Sequence, residues 1–309
     1  MTKKFPSALQ VRCNEPMARH TSFGVGGPAD YWVEVRKLDA LRLALATADE
    51  LGLTRTVMGH GTNALVADAG IDGLVIYNRC TGFKHARSKR EIQVESGHSM
   101  AQLAGRCARL GIRGLTFAIG VPGTVGGAIY GNAGAFGSNM AAVLASARIW
   151  RGSGEQDTPA TELGFAYRRS SLHNNPDNPV VLEATFRVET DRASVLRDEL
   201  LDLARKRRAS QPQGRHAGSF FKNPDGDFAG RLIEASGLKG LRHNTAFISP
   251  VHANFLSSDR DGRADDVLDL AIDTQRRVAE SFGIVLVPEV RFIGRWDERI
   301  EELLHESHP

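Results

Sequence analysis

Three short segments carry side chains able to do chemistry. The first, His216-Ala-Gly-Ser-Phe-Phe-Lys-Asn-Pro224, puts Ser219, Lys222 and Asn223 within five residues of a predicted loop. Ser219 lacks the Gly-x-Ser-x-Gly surroundings of a hydrolase nucleophile. Its hydroxyl suits either a structural cap or delivery of a proton to a carbanion that another group has created. The second, Phe165-Ala-Tyr-Arg-Arg-Ser170, offers Tyr167 and Arg168. The Arg168 fork can hold a carboxylate bidentately, or it is a surface arginine beside a packed tyrosine. The third, Pro288-Glu-Val-Arg291, sets Glu289 in an apolar run. Alternation places Glu289 on one strand face with Val287 and Arg291, as an ion pair or as a poised carboxyl. His252 has no second metal ligand at useful spacing and reads as a packing histidine, so no metal site is expected.

Glycine is in excess, 32 of 309 residues, about 10% against a usual 7%. Seven glycines fall between 120 and 137, and another group lies in Gly59-His-Gly-Thr-Asn-Ala-Leu65. Such runs expose N–H groups that cradle a phosphate, or they form tight turns between closely packed backbones. Neither a Walker A motif nor a Gly-x-Gly-x-x-Gly fingerprint is present. Two glycine loops at the ends of two strand-helix units suit a single long dinucleotide.

The elements that position these loops follow from periodicity. Strands are predicted at 31–35, 54–58, 92–95, 145–150 and 180–188. A helix at 39–50 shows a face of Leu41, Ala44, Leu45 and Ala48, and another opens at Ser99 with an apolar stripe of Met100, Leu103, Ala104, Cys107 and Leu110. Past 193 the chain turns helical, at 193–210, 227–236 and 265–282, with Gly237 and Gly283 as C-terminal caps. Strands are expected at 245–249, 253–257 and 284–293. The pattern predicts an α+β ligand domain followed by a smaller α/β domain near 196–284.

Composition narrows the class. The chain is 41% hydrophobic and 24% charged with a net charge of +3, which is too small for a dedicated nucleic-acid surface. Lys206-Arg207-Arg208 reads as a solvated helix end. Cys13, Cys80 and Cys107 are odd in number, without metal-ligand or Cys-x-x-Cys spacing, so no disulfide framework is expected. With neither a signal-like apolar run nor 18 consecutive apolar residues, the sequence predicts a soluble cytoplasmic protein that engages no membrane.

Taken together, nine segments in order resemble the UDP-N-acetylenolpyruvoylglucosamine reductases. They are Thr21-Ser-Phe-Gly-Val-Gly-Gly-Pro-Ala29, the 59–65 loop, Gly120-Val-Pro-Gly-Thr-Val-Gly-Gly-Ala128, Asn132-Ala-Gly-Ala-Phe-Gly137, Tyr167-Arg-Arg-Ser170, Gly218-Ser-Phe-Phe-Lys-Asn-Pro224, Gly237-Leu-Lys-Gly240, His252-Ala-Asn-Phe255 and Pro288-Glu-Val-Arg291. The resemblance spans about residues 20–294. It implies an α+β, FAD-binding fold of the vanillyl-alcohol-oxidase type. One FAD subdomain would comprise 1–80 with 285–309, a second 81–195, and a substrate domain 196–284.

The resemblance further implies a monomer with non-covalent FAD, NADPH as co-substrate, and an enolpyruvyl UDP-sugar as substrate. Arg168, Ser219 and Glu289 would be catalytic, and Tyr167, Lys222 and Asn223 would contact substrate. Gly59, His60, Gly61, Thr62 and Asn63, with Pro122, Gly123, Thr124, Gly126 and Gly127, would bind FAD. The chain departs from the family pattern at Thr116 (usually Glu), Asn244-Thr245 (a glycine turn), Val251 (commonly Lys) and Ser258 (often Asn). The missing Lys leaves room for a paralogue with an altered substrate. The lack of a tyrosine-loop insertion points to the shorter subtype. A flavin oxidase using O₂, or a non-catalytic nucleotide-binding paralogue, are the competing expectations.

Overall fold

The computed structural model describes residues 4–152, 154–173 and 175–305. Among them the helices are α1 (Leu38–Glu50), α2 (Met100–Arg109), α3 (Val125–Tyr130), α4 (Met140–Val143), α5 (Ala193–Ser210), α6 (Ala229–Ala235), α7 (Ala264–Phe282) and α8 (Arg299–His305). The chain divides into two compact units. The first is built from 1–12, 32–59 and 74–209, the second from 13–31, 60–73 and 210–309. No helix of the described residues is long and apolar enough to cross a membrane.

The first unit centres on an antiparallel sheet in the order Gly154–Pro159, Leu144–Arg151, Val180–Arg187, Glu91–Glu95, Phe83–Ala86. Register sets Ala184 opposite both Ala147 and Val94, and Phe186 opposite Ile92. All five side chains are buried in one core with Met100, Leu103, Ala104 and Cys107 of α2. Alternation along the strands thus gives the sheet one apolar face, and the α2 stripe covers it. Ser99 caps α2, its hydroxyl accepting from the Gln102 N–H. The helix stops at Arg109, so Leu110, expected in the stripe, falls outside it and is exposed. In α1 the expected face of Leu41, Ala44, Leu45 and Ala48 is buried. A parallel pair then aligns Arg55 with Leu74 and Met58 with Tyr77, and the first of these strands leads directly into Gly59.

In the predicted basic cluster, Lys206 and Arg208 are exposed, but Arg207 turns inward and its guanidinium donates to the Gly120 carbonyl. Burial lowers its pKa. Cys80 and Cys107 are buried free thiols pushed up to about 12 by loss of hydration, and Cys13 is an exposed free thiol.

The second unit carries a three-stranded antiparallel meander, Arg242–His243, Ala246–Ile248 and Leu256–Ser258, with α6 and α7. Val267, Leu268, Ala271 and Val278 of α7 are buried with Leu232 and Ile233 of α6. Gly283 ends α7 in the left-handed conformation, φ +67°. At the other end of α7, the Asp68 carboxylate accepts from the Ala264 and Asp265 N–H groups. Arg291–Ile293 lies parallel to Ala64–Val66.

Two predicted strands are shorter than expected. Of 284–293 only Arg291–Ile293 is a regular strand, because Pro288 has no N–H to give and the preceding residues pair locally with 220–222. Residues 253–255 form a turn, closed by the Phe255 N–H on the His252 carbonyl.

Asp266, in the first turn of α7, is 7% exposed. It accepts from the Thr245 hydroxyl, from the Thr245 N–H at 3.2 Å and from Asn244 Nδ2 at 3.2 Å. Burial alone would raise its pKa, but these hydrogen bonds outweigh burial and hold it below the ordinary value. A depressed folded pKa contributes stability above the unfolded value and loses it as pH falls through the folded one. Asp266→Asn should therefore cost about 1–3 kcal/mol at neutral pH. The gap to the parent should narrow below about pH 4, as read by urea titrations on both sides of that value.

Candidate active site

The predicted site residues lie in loops, except Gly126 and Gly127, which fall in the first turn of α3. In the first unit Gly59 packs on Thr124, where a Cβ would sit 2.4 Å from the threonine hydroxyl. This close approach joins the two glycine-rich segments at one point. Thr124 caps α3 by accepting from the Gly127 N–H, while Val125 and Gly126 donate to the carbonyls of His98 and Ser96. Gly126 leaves no slack, since its Cβ would lie 3.0 Å from that of Ser96. Burial lowers the pKa of His98.

In the second unit Gly61 has φ +61°, and a Cβ there would meet the His20 carbonyl oxygen at 2.1 Å. The amides of Gly61, Thr62 and Asn63, and of Gly123 and Thr124 in the first unit, donate to no protein acceptor among the described residues.

Tyr167 and Arg168 form a two-residue turn, closed by reciprocal hydrogen bonds between Ala166 and Arg169. Arg168 takes φ +55° there, a conformation that costs a non-glycine residue about 1 kcal/mol or more. Its guanidinium donates to the Gly134 carbonyl at 3.4 Å and lies 5.5 Å from the exposed Tyr167 ring. The turn forms one wall of a cavity of about 610 Å³ in the first unit, which Asn132, Phe136 and Asn139 also line. Asn132, buried, braces this wall by donating to the Ala166 carbonyl at 2.9 Å and accepting from the Ala141 N–H at 3.0 Å. Ser170 adds a bond to the Tyr130 carbonyl.

The second unit brings the Ser219 and Glu289 segments together. The Lys222 N–H donates to the Val287 carbonyl and the Glu289 N–H to the Phe220 carbonyl, both at 2.8 Å. Asn63 Nδ2 donates to the Glu289 carbonyl at 3.1 Å, so a loop residue also supports the carboxylate's backbone. Ahead of Ser219, His216 donates through Nε2 to the Pro212 carbonyl and accepts at Nδ1 from the Gly218 N–H. This fixes its tautomer and shapes the turn at Gly218, φ +82°. Ser219 and Lys222 are half-buried, whereas Asn223 is exposed and accepts from the Ala229 N–H at the start of α6.

Three of the four departures from the family pattern have local explanations, and nothing in the structure explains Val251. Thr116 donates to Glu199 of α5 at 2.6 Å, so a carboxylate still lies at that point. Asn244 has φ +48° and does a glycine's work in the turn that Asp266 holds. Ser258 is buried and donates to the Phe23 carbonyl at 2.7 Å. Val251 is 58% exposed.

Residues 29–158 match a family described as FAD binding domain. The fold is accordingly the mixed α and β, FAD-binding type shared with the vanillyl-alcohol-oxidase class of flavoproteins. Residues 211–293 match the C-terminal domain of UDP-N-acetylenolpyruvoylglucosamine reductase. Proteins of that name from Chloroflexus aggregans and Rubrobacter xylanophilus are 42% and 41% identical, covering 92% and 95% of this chain and 98% of each relative. The crystal structure of the Thermus caldophilus reductase superposes with a TM-score of 0.78 at 31% identity, covering 92% of this chain and 98% of its own. The chain belongs to the UDP-N-acetylenolpyruvoylglucosamine reductase family.

The glycine loops fit the cofactor this family membership implies. Their close-packed glycines keep the backbone low, and their undonated amides suit a diphosphate. A methyl group at Gly61 must displace the 20–21 backbone and sits at an unfavourable φ. Gly61→Ala should weaken FAD binding at least about tenfold. The check is the ratio of flavin to protein absorbance after gel filtration, which should drop relative to the parent.

Proposed function

We propose that this flavin-dependent oxidoreductase reduces the enolpyruvyl ether of UDP-N-acetylglucosamine to the lactyl ether, giving UDP-N-acetylmuramate, with NADPH as the electron source. The observation that carries the reading is the pairing of 220–222 with 287–289, which sets the segments carrying Ser219 and Glu289 side by side. The shared name of the relatives favours this reaction over an oxidase of the same fold.

Bound FAD supplies the hydride for the terminal vinyl carbon of the substrate. Addition there builds negative charge as an enolate at C2 and its carboxylate. Arg168, held at the cavity wall, offsets that charge electrostatically, and Glu289 assists. The Ser219 hydroxyl delivers its proton to C2, so one hydride and one proton add across the double bond. Tyr167, Lys222 and Asn223 contact the substrate. Residues 59–63, with Pro122, Gly123, Thr124, Gly126 and Gly127, hold the FAD diphosphate and nearby groups.

In this reading 1–80 with 285–309 and 81–195 form the two FAD subdomains, and 196–284 the substrate domain. The chain acts as a cytoplasmic monomer in bacterial cell-wall precursor synthesis, and through it in cell division. The structural reasons found for Thr116, Asn244, Thr245 and Ser258 argue for the unaltered substrate.

Purified protein should be yellow and should oxidise NADPH only when the enolpyruvyl substrate is supplied. Ser219→Ala should slow turnover by roughly a hundredfold to ten-thousandfold, with flavin reduction by NADPH affected far less. Parent-level turnover in this variant would remove Ser219 from the mechanism.

A further inference from the structure

The geometry points to Asn254 as a positioning residue for the Ser219 hydroxyl. Asn254 is 2% exposed, and among the described residues it hydrogen-bonds to none of the proposed substrate or cofactor residues. Its side-chain amide is spent on the backbone of one residue, Phe221. Oδ1 accepts from the Phe221 N–H at 2.9 Å, and Nδ2 donates to the Phe221 carbonyl at 2.8 Å. Its own carbonyl accepts from the Phe220 N–H at 2.8 Å. Asn254 thereby acts as a one-residue strand edge along 220–221, while 287–289 pairs on the opposite side. Ser219 is the residue just before this clamped stretch, and Gly218, before it, has left-handed φ and open space around its Cα. The clamp is therefore what stops Ser219 from moving along the chain direction.

Asn254 is itself held. Its N–H donates to His252 Nδ1 at 3.2 Å, and the His252 ring lies against Gly230 of α6, where a Cβ would come within 3.0 Å of Cε1. The amide satisfies both Phe221 groups at neutral pH. An ionised Asp would set an oxygen against the Phe221 carbonyl, whereas a protonated Asp regains a donor. A displacement of about 1 Å costs up to a hundredfold in rate when a reacting group must meet one atom.

The inference rests on Ser219 being the proton donor, and the test separates the two. With FAD-loaded protein, stopped-flow spectroscopy follows reduction of the flavin by NADPH and its reoxidation by the enolpyruvyl nucleotide-sugar. Asn254→Asp should slow reoxidation by roughly tenfold to a hundredfold with little change in reduction, and the deficit should shrink as pH falls and the new carboxyl protonates. The double variant with Ser219→Ala should be no slower than Ser219→Ala alone, because Asn254 acts through that hydroxyl. Equal slowing of both half-reactions, a pH-independent deficit, or additive losses overturns the proposal. So does loss of FAD in both Asn254→Asp and Asn254→Ser, which makes Asn254 a folding residue only. If Ser219→Ala reoxidises at the parent rate, the proton-donor reading falls and this inference with it. If Ser219→Ala is slow and Asn254→Asp is not, the inference alone falls.

Discussion

Phe220, Phe221 and Lys222 spend their backbone groups on two different neighbours. On one side stands the turn at Asn254, on the other residues 287–289. Both phenylalanine rings are buried, so water cannot replace a lost partner, and each unpaired backbone group would cost about 1–3 kcal/mol. This constraint fixes more than local shape. The same stretch carries the proposed proton donor just before it and proposed substrate contacts within and just after it, while its second neighbour carries Glu289. The buried rings lock the stretch into the core shared with α6 and α7, so the position of the proposed chemistry in this unit is inherited from hydrophobic packing.

Much of the fold was legible in periodicity. The stripe of α1 and most of that of α2 point inward as spacing predicts, and α5 spans the predicted residues. What was not legible depends on partners distant in sequence. The mostly apolar run at 284–290 looks like a strand, yet it is shaped by residues 220–222 and by the missing N–H of Pro288. Arg207 looks like part of a solvated cluster, and only the fold shows the Gly120 carbonyl waiting for it. The side chains proposed to react are picked out by residue type alone. The amides that hold them, Asn132 and Asn254, carried no signal beyond lying inside quoted motifs, since an asparagine's role depends on what it faces.

The glycine excess also acquires a physical account. Gly61 marks a place where one backbone passes so near another that a methyl group has no room, Gly126 one where a methyl group would press on Ser96, and Gly59 presses on the Thr124 side chain. In the proposed site, such closeness leaves N–H groups for a diphosphate to meet. A net charge of +3 is then sufficient, because oriented amides supply positive potential without formal charge. The departures at Asn244 and Ser258 belong to scaffold contacts and not to this surface.

The second unit is assembled from 13–31, 60–73 and 210–309. Its helix α7 is capped by Asp68, and its strand Arg291–Ile293 lies beside Ala64–Val66. During synthesis these early segments emerge long before their partners exist. The first unit has all its residues once position 209 has left the ribosome, whereas 13–31 and 60–73 must wait, with Phe23 and Leu65 uncovered, for the last third of the chain. Pairings of such long sequence separation form slowly, and exposed apolar segments in the interval are where aggregation begins. The nascent chain is thus most vulnerable between completion of its first unit and arrival of its C-terminal strand.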